Sequence, residues 1–191
     1  MANNTKNIMI VGVGGQGTLL TSRILGGITV AAGYDVKLSE VHGMAQRGGS
    51  VVTFVRYGAS VAEPIVEEGC ADVIIAFERL EAKRYAHFLK EDGVMIINDQ
   101  RIDPITVVTG AATYPEGIIE ELQKDNKVFT VNAMEEAKKL GNSKVFNIIV
   151  LGVAAKHMDF PKEAWLNIIE KTVPAKTVEI NKKAFLLGYE S

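Results

Sequence analysis

The sequence predicts an α/β fold in which helices cover both faces of a mixed, mostly parallel sheet, a three-layer α/β/α arrangement. Three observations lead to this fold class. Short apolar runs rich in branched residues, at 8–13 and 71–77, are typical of buried strands. Amphipathic segments with apolar residues three and four apart follow these runs. Residues 134–187 show helical spacing in successive segments, so the chain is expected to end in a helical run.

The second and third strands are predicted not to be parallel neighbours. A strand over 8–13 stops at a glycine cluster, and a helix over 15–32 follows it and ends at Gly33. Strands over 34–40 and 50–57 are separated by only nine residues, whereas a parallel neighbour needs a crossover of a dozen or more. These two strands are therefore expected to pair antiparallel or to lie apart.

The next segment is predicted as one regular βαβ unit. Strands over 71–77 and 94–98 flank a helix over 79–90, and Gly93 follows that helix as its stop.

Weaker strand signals come later in the chain, at 105–109 and 127–131. A short helix from Pro115 through Lys124 is expected between them. The four C-terminal helices are expected at 134–140, 144–158, 161–171 and 178–187.

The composition describes one domain spanning residues 1–191. The chain is 47% hydrophobic and 23% charged with a formal net charge of -2, so it lacks the strongly basic field of a protein that binds nucleic acid or anionic lipid. The longest apolar stretch, 148–155, is far shorter than the roughly 20 residues needed to cross a bilayer, and the first residues lack a signal-peptide apolar region. We expect a cytoplasmic protein with no nucleic-acid or membrane partner.

A single cysteine, Cys70, limits the inorganic chemistry of the chain. Common iron–sulfur clusters need about four ligands, so this chain cannot hold one alone, and one copy cannot form a disulfide. Cys70 and the three histidines lack the spacing of a structural zinc site. No metal site is predicted.

A glycine turn follows the first strand, because Gly12, Gly14 and Gly17 fit the pattern G-x-G-x-x-G between a strand and a helix. Such a turn lets backbone N–H groups and the positive end of the helix approach a phosphate or carboxylate. Three interpretations remain open: a tight turn without a ligand, a site for another anion or an acyl-carrier nucleotide, and a Rossmann-like NAD or FAD site with Glu40 on the ribose hydroxyls. The short connection between the second and third strands argues against the last.

The loop after the second strand concentrates polar chemistry. Residues 40–50 offer a carboxylate, an imidazole, an amide, a guanidinium and a hydroxyl among glycines. Arg47 suits a phosphate or carboxylate, with the neighbouring glycine amides forming an anion nest. The alternatives are an Arg47 paired with a nearby carboxylate and a His42 that is an ordinary surface group. We expect residues 12–17 and 40–50 to converge at one end of the sheet.

The candidate cofactor-binding residues all come from these two segments. They are Gly12, Gly14, Gly15, Gln16, Gly17, Glu40, His42, Gln46, Arg47, Gly48, Gly49 and Ser50.

Three other polar residues receive separate interpretations. Asn147 lies in an otherwise apolar helix, where a structural hydrogen bond is favoured over a ligand contact. Glu78 ends its strand and is expected either to face the same crevice as the glycine turn or to be solvated. Glu81 is interpreted as plain helix surface.

Four segments together resemble the gamma subunit or domain of the 2-oxoacid:ferredoxin oxidoreductases. They are the glycine turn at 12–17, the Gln-Arg-Gly-Gly stretch at 46–49, and the segments 147–152 and 181–189. Residues 40–49 look most like the branch called the indolepyruvate oxidoreductase beta subunit. The residues at 41–43 depart from the Ser-Tyr-Gly stretch that is more frequent in pyruvate and branched-chain relatives, and this departure favours the arylpyruvate branch.

The resemblance implies a complex that decarboxylates a 2-oxo acid on thiamine diphosphate, passes two electrons through iron–sulfur clusters to ferredoxin, and transfers the acyl group to coenzyme A. It implies that thiamine diphosphate and the clusters lie on a large partner subunit, because this chain has no Gly-Asp-Gly segment and one cysteine. This chain then carries no catalytic residue of its own, contacts ferredoxin only indirectly, and helps to form the coenzyme A site. The rival hypotheses are a free-standing Rossmann-type oxidoreductase with NAD or FAD, and a non-enzymatic interaction domain.

Overall fold

A computed structural model describes residues 5–43 and 49–191. Its strands are β1 (Lys6–Val13), β2 (Asp35–His42), β3 (Ser50–Gly58), β4 (Ala71–Ala76), β5 (Leu89–Asn98) and β6 (Lys127–Val131). They form a sheet with the spatial order β2-β3-β1-β4-β5-β6.

The sheet is mixed, as predicted. Strands β1, β4, β5 and β6 run parallel, whereas β3 lies between β2 and β1 and is antiparallel to both. Ser50 pairs with Val13, and Val51 pairs with His42. The end of β1, the end of β2 and the start of β3 therefore share the edge at which the parallel strands also finish.

The helices are α1 (Thr18–Ala31), α2 (Arg79–Tyr85), α3 (Ile105–Val108), α4 (Ile118–Asp125), α5 (Ala133–Lys139), α6 (Phe146–Ala155), α7 (Lys162–Thr172) and α8 (Val178–Tyr189). Within the described ranges, none of them combines the length and the apolar character needed to cross a membrane.

Two apolar cores separate the three layers. Ile8 and Ile10 of β1 point into a core shared with α1, α5, α6, α7 and α8. Met9 and Val11 point to the opposite face, into a core shared with α2 and α4. This alternation along one strand buries both faces of the sheet, which confirms the predicted α/β/α layers and the helical C-terminal run.

Helices α6 and α8 touch backbone to backbone. A Cβ atom added to Gly152 would lie 2.2 Å from the carbonyl oxygen of Phe185, and one added to Gly188 would lie 2.0 Å from the carbonyl oxygen of Ile149. Only glycine fits at these two positions without separating the helices. The two glycines come from the segments 147–152 and 181–189 that carry part of the resemblance.

One predicted helix is shorter than expected. Helix α2 ends at Tyr85, and β5 begins at Leu89, so Gly93 lies inside a strand and does not end a helix. A Cβ atom on Gly93 would lie 2.8 Å from the carbonyl oxygen of Ala71. The glycine therefore permits the close approach of β5 to β4 at a register shift between these strands.

The predicted strand at 105–109 is wrong, because this segment forms α3. Its β-branched residues favour a strand, but the position beside β5 is occupied by β6. The segment instead turns on the surface after Pro104, with Ile105 72% and Val108 69% exposed.

Candidate functional site

A cleft of about 590 Å³ opens between the glycine turn and the end of β2. This volume lies within the usual range of small-molecule sites. The cleft is lined by Gly14, Gly15, Gly17, Thr18, Leu19, Glu40, His42, Gly43 and Val51. The glycine turn and the described part of 40–50 therefore converge, as the sequence predicts.

The N-terminus of α1 forms one wall of this cleft. Gly15 and Gly17 have φ values of 97° and 89°, in the left-handed region that favours glycine. In the described part of the chain, no side chain caps this helix and its first turn holds no acidic residue. The first N–H groups of α1 and the positive end of its dipole are therefore available to an anion.

The opposite wall carries a carboxylate and an imidazole from β2. Glu40 accepts a hydrogen bond of 3.2 Å from the hydroxyl of Thr53, and its other oxygen lies 3.3 Å from Nδ1 of His42. Thr53 is buried, whereas the His42 ring is 61% exposed. This wall suits hydroxyl or N–H donors of a ligand, because a carboxylate accepts hydrogen bonds and repels a phosphate.

Within residues 5–43 and 49–191, no three His, Cys, Asp or Glu side chains are placed so that they could hold a metal ion together.

The side chain of Gln16 faces the protein interior. Its oxygen accepts the N–H of Val13 at 2.7 Å, and its Nε2 donates to the carbonyl of Phe77 at 3.0 Å and to Oε1 of Gln100 at 3.2 Å. Gln16 is 7% exposed. Its amide therefore braces the turn against the ends of β4 and β5, and Gly12 packs beneath it at the end of β1.

The side chain of Ser50 points to the face of the sheet that carries α2. Its hydroxyl donates to Oε2 of Glu81 at 2.5 Å and lies 3.3 Å from the hydroxyl of Tyr85. Gly49, just before it, accepts the N–H of Gly14 at 2.9 Å through its carbonyl oxygen. The backbone of this pair thus borders the turn, whereas the Ser50 hydroxyl is directed away from the cleft.

The remaining candidates, Gln46, Arg47 and Gly48, lie outside the described residues. They are flanked by Gly43, which lines the cleft, and by Gly49, which contacts Gly14.

Asn147 supports the glycine turn from behind. This residue of α6 is 3% exposed, and its Nδ2 lies 3.4 Å from the carbonyl oxygen of Gly17. A Cβ atom on Gly17 would come within 2.2 Å of the same nitrogen. The geometry agrees with the structural interpretation of Asn147.

Glu78 and Glu81 differ from their sequence-based interpretations. Glu78 is 1% exposed, caps α2 through the N–H of Glu81, and accepts hydrogen bonds from the hydroxyl of Tyr114 and the N–H of Ile102. The prediction that it is solvated or faces the glycine crevice is wrong. Glu81 is 4% exposed, so it is not helix surface, and burial raises the pKa of its carboxyl against the opposing effects of Ser50 and Arg84.

Four residues that line the cleft are absent from the candidate list: Thr18, Leu19, Gly43 and Val51. Thr18 and Leu19 follow the turn directly, and a helix N-terminus at an anion site is a signal that could have included them. Thr53 orients Glu40, and the alternation of β3 was the only available sign of that contact.

The sequence profile of the family described as pyruvate ferredoxin/flavodoxin oxidoreductase matches residues 7–191 of this chain. Among named proteins, the chain is similar to the indolepyruvate oxidoreductase subunit IorB of Thermococcus kodakarensis, with 40% identity over 97% of this chain and 95% of the relative. It is also similar to the protein of the same name from Archaeoglobus fulgidus, with 45% identity over 96% of this chain and 93% of the relative.

A solved structure has the same fold. The crystal structure of the keto/oxoacid ferredoxin oxidoreductase gamma subunit from Geobacter sulfurreducens superposes with a TM-score of 0.71 and 26% identity, covering 97% of this chain and 96% of that one.

Proposed function

This chain belongs to the pyruvate ferredoxin/flavodoxin oxidoreductase family, and we propose that it is the small accessory subunit of an indolepyruvate-type 2-oxoacid:ferredoxin oxidoreductase. The complex oxidatively decarboxylates an arylpyruvate to its acyl-coenzyme A ester and carbon dioxide, and two electrons pass to ferredoxin. The names of the relatives at 40% and 45% identity support this substrate class.

The division of labour follows from the side chains that this chain has. With Cys70 as its only cysteine it supplies too few thiolates for an iron–sulfur cluster, so the clusters and thiamine diphosphate are assigned to a large partner subunit. The proposed role of this chain, as one gamma-type domain in the cytoplasm, is to bind and orient the coenzyme A that accepts the acyl group.

The observation that carries this role is the cleft at the start of α1. Its glycine turn presents free N–H groups at the positive end of a helix, which suits the phosphates of coenzyme A. Glu40 on the opposite wall suits a ribose hydroxyl or an amino group. In the sequence Arg47 falls between Gly43, which lines the cleft, and Gly49, which contacts Gly14, and its guanidinium is proposed as the second phosphate ligand.

Titration of coenzyme A in the reconstituted complex tests this role. We expect Arg47→Ala to raise the KM for coenzyme A about tenfold, the equivalent of about 1.4 kcal/mol, because a charge-assisted contact is lost. Gly15→Ala should raise it as well, since its Cβ would enter the open cleft.

Two matched variants control this experiment. Arg23→Ala removes an exposed arginine on α1, and Gly33→Ala adds a methyl at a positive φ with open space around it, away from the cleft. Both should keep the parent KM. If the Arg47→Ala and Gly15→Ala complexes assemble and keep it too, coenzyme A binds elsewhere and the subunit is a scaffold.

A dinucleotide site is the second candidate, favoured by the position of Glu40 beside the glycine turn. In dinucleotide-binding folds the second strand lies directly beside the first. Here β3 separates them, so Glu40 sits two strand spacings, roughly 10 Å, from β1.

Thermal shifts of the chain with NAD, FAD and coenzyme A distinguish the dinucleotide site from the coenzyme A site. A ligand at 100 times its Kd adds about 2.7 kcal/mol to the free energy of unfolding. Stabilisation by NAD or FAD alone would favour the second candidate.

A further inference from the structure

Glu81 is a buried carboxylate on the face of the sheet opposite the cleft. It lies in the first turn of α2 and is 4% exposed. One of its oxygens accepts the Ser50 hydroxyl at 2.5 Å, and the other lies 3.3 Å from a guanidinium nitrogen of Arg84. The Tyr85 hydroxyl lies 3.3 Å from the Ser50 hydroxyl, and the carboxylate of Glu78 accepts the N–H of Glu81.

The helix itself does not require this arrangement. A glutamate at the third helical position commonly reaches back to the N-terminal cap of its own helix. In α2 the Glu78 carboxylate caps the N–H of Glu81, and the carboxylate of Glu81 extends instead to β3. Burying a carboxylate is costly unless its partners compensate, so the contact with Ser50 needs a reason beyond helix capping.

The contact lies one peptide away from the glycine turn. Ser50 pairs with Val13, and the carbonyl of Gly49 accepts the N–H of Gly14, which lines the cleft. The peptide that joins Gly49 to Ser50 is therefore held on one side by α2 and on the other side holds the turn. The Ser50 side chain and the carbonyl that accepts the Gly14 N–H are therefore joined through one peptide group.

We propose that Glu81 is a positioning residue for the glycine turn, acting through Ser50 and Gly49 without touching the cleft. What the turn binds rests on the proposed function, but the coupling of Glu81 to Gly14 does not. Glu81 anchors the start of β3, and the anchored Gly49 carbonyl holds Gly14 in the geometry that leaves the first N–H groups of α1 open to an anion.

Hydrogen exchange of the Gly14 amide, measured by NMR on the full chain, tests the coupling without any ligand. We expect Glu81→Ala and Ser50→Ala each to speed exchange of this amide about fivefold, because each removes the hydrogen bond between the Ser50 hydroxyl and the Glu81 carboxylate. Glu81→Gln keeps an acceptor for the Ser50 hydroxyl and should restore slow exchange. Glu163→Ala is the matched control, since Glu163 also lies in the first turn of a helix but is exposed.

The reconstituted complex supplies the second measurement. Glu81→Ala should raise the KM for coenzyme A about fivefold and leave kcat at saturating coenzyme A unchanged, with rescue by Glu81→Gln. Ser50→Ala removes a single hydroxyl oxygen, so it tests the proposal even where Glu81→Ala does not fold.

The two measurements separate the two hypotheses. Unchanged Gly14 exchange in both Glu81→Ala and Ser50→Ala overturns the positioning role. Faster exchange with an unchanged KM for coenzyme A supports the coupling and overturns the assignment of coenzyme A to this cleft.

Discussion

Glycines serve opposite purposes at the crossing of α6 with α8 and at the turn before α1. At the crossing, a Cβ atom on Gly152 or Gly188 would lie 2.2 or 2.0 Å from a backbone oxygen of the facing helix. The backbone of that helix therefore occupies the space that a side chain would need. At the turn, a Cβ atom on Gly15 would meet nothing within 4 Å. The missing side chain there leaves open space beside free N–H groups. This difference separates the packing role of the glycines at the crossing from the ligand-binding role proposed for the turn.

The largest expected effect comes from substituting the glycines at the crossing of α6 with α8. Gly152→Ala or Gly188→Ala should lower the free energy of unfolding by about 3 kcal/mol or more, because the backbones of two closely packed helices must separate. Urea unfolding followed by circular dichroism measures it. The comparison fails if these variants lose no more stability than Gly15→Ala.

An intermediate effect is expected at Gly17, which belongs to the turn but packs against Asn147. Gly17→Ala should cost about 2 kcal/mol, from a positive φ of 89° and a clash with the amide nitrogen of Asn147. Adding Asn147→Ala should recover about 1 kcal/mol in a double-mutant cycle, because the clash is removed while the backbone strain remains. Purely additive losses would show that the two residues are not coupled.

A smaller loss of stability is expected at Gly15. Gly15→Ala and Gly33→Ala both place a methyl in open space at a positive φ and should each cost about 1 kcal/mol. Calorimetric unfolding of both variants checks this equality. A markedly larger cost at Gly15 would mean that its φ is needed for folding, which would weaken its interpretation as a ligand-binding glycine.

The smallest effect concerns pH and the buried Glu81. Burial raises the pKa of Glu81 in the folded protein above the ordinary value of 4.5. The protonated side chain therefore contributes to the free energy of unfolding below pH 4.5, and this contribution is lost as the pH rises through the folded pKa. Glu81→Gln removes this titration. The free energy of unfolding of the variant should therefore increase relative to that of the parent as the pH rises from 4 to 7.

A matched control completes the pH experiment, because Glu163→Gln removes an exposed carboxylate and should leave the pH profile of the parent unchanged. A difference between Glu81→Gln and the parent that stays constant across this range would contradict the raised pKa.

Several features of the fold could be predicted from local patterns. Most of the strands, the exclusion of a parallel pair across residues 41–49 and the C-terminal helices follow from periodicity and connection length. The segment 105–109 could not be predicted in this way, because its β-branched residues favour a strand and only the presence of β6 beside β5 excludes one. The prediction that Gly93 ends a helix is wrong for a similar reason, since its role depends on the close approach to Ala71 of β4, which is distant in the sequence.

The candidate site could be predicted in part. The convergence of the glycine turn with Glu40 and His42 follows from strands that end at one edge. The direction of each side chain was not available from the sequence. Gln16 turns inward to the ends of β4 and β5, and Ser50 turns to α2, because the alternation along a strand and the packing of the neighbouring helices decide which face a side chain takes.

The sequence by itself determined the α/β class, the place of the glycine turn between strand and helix, and the shortage of cysteine ligands for a cluster, because these depend on local spacing and on counting. The tertiary structure alone decided which glycines face open space and which face backbone, and that Glu81 is buried against Ser50. Both depend on contacts between segments that are distant along the chain, and no local pattern of residues encodes the distance between two such segments.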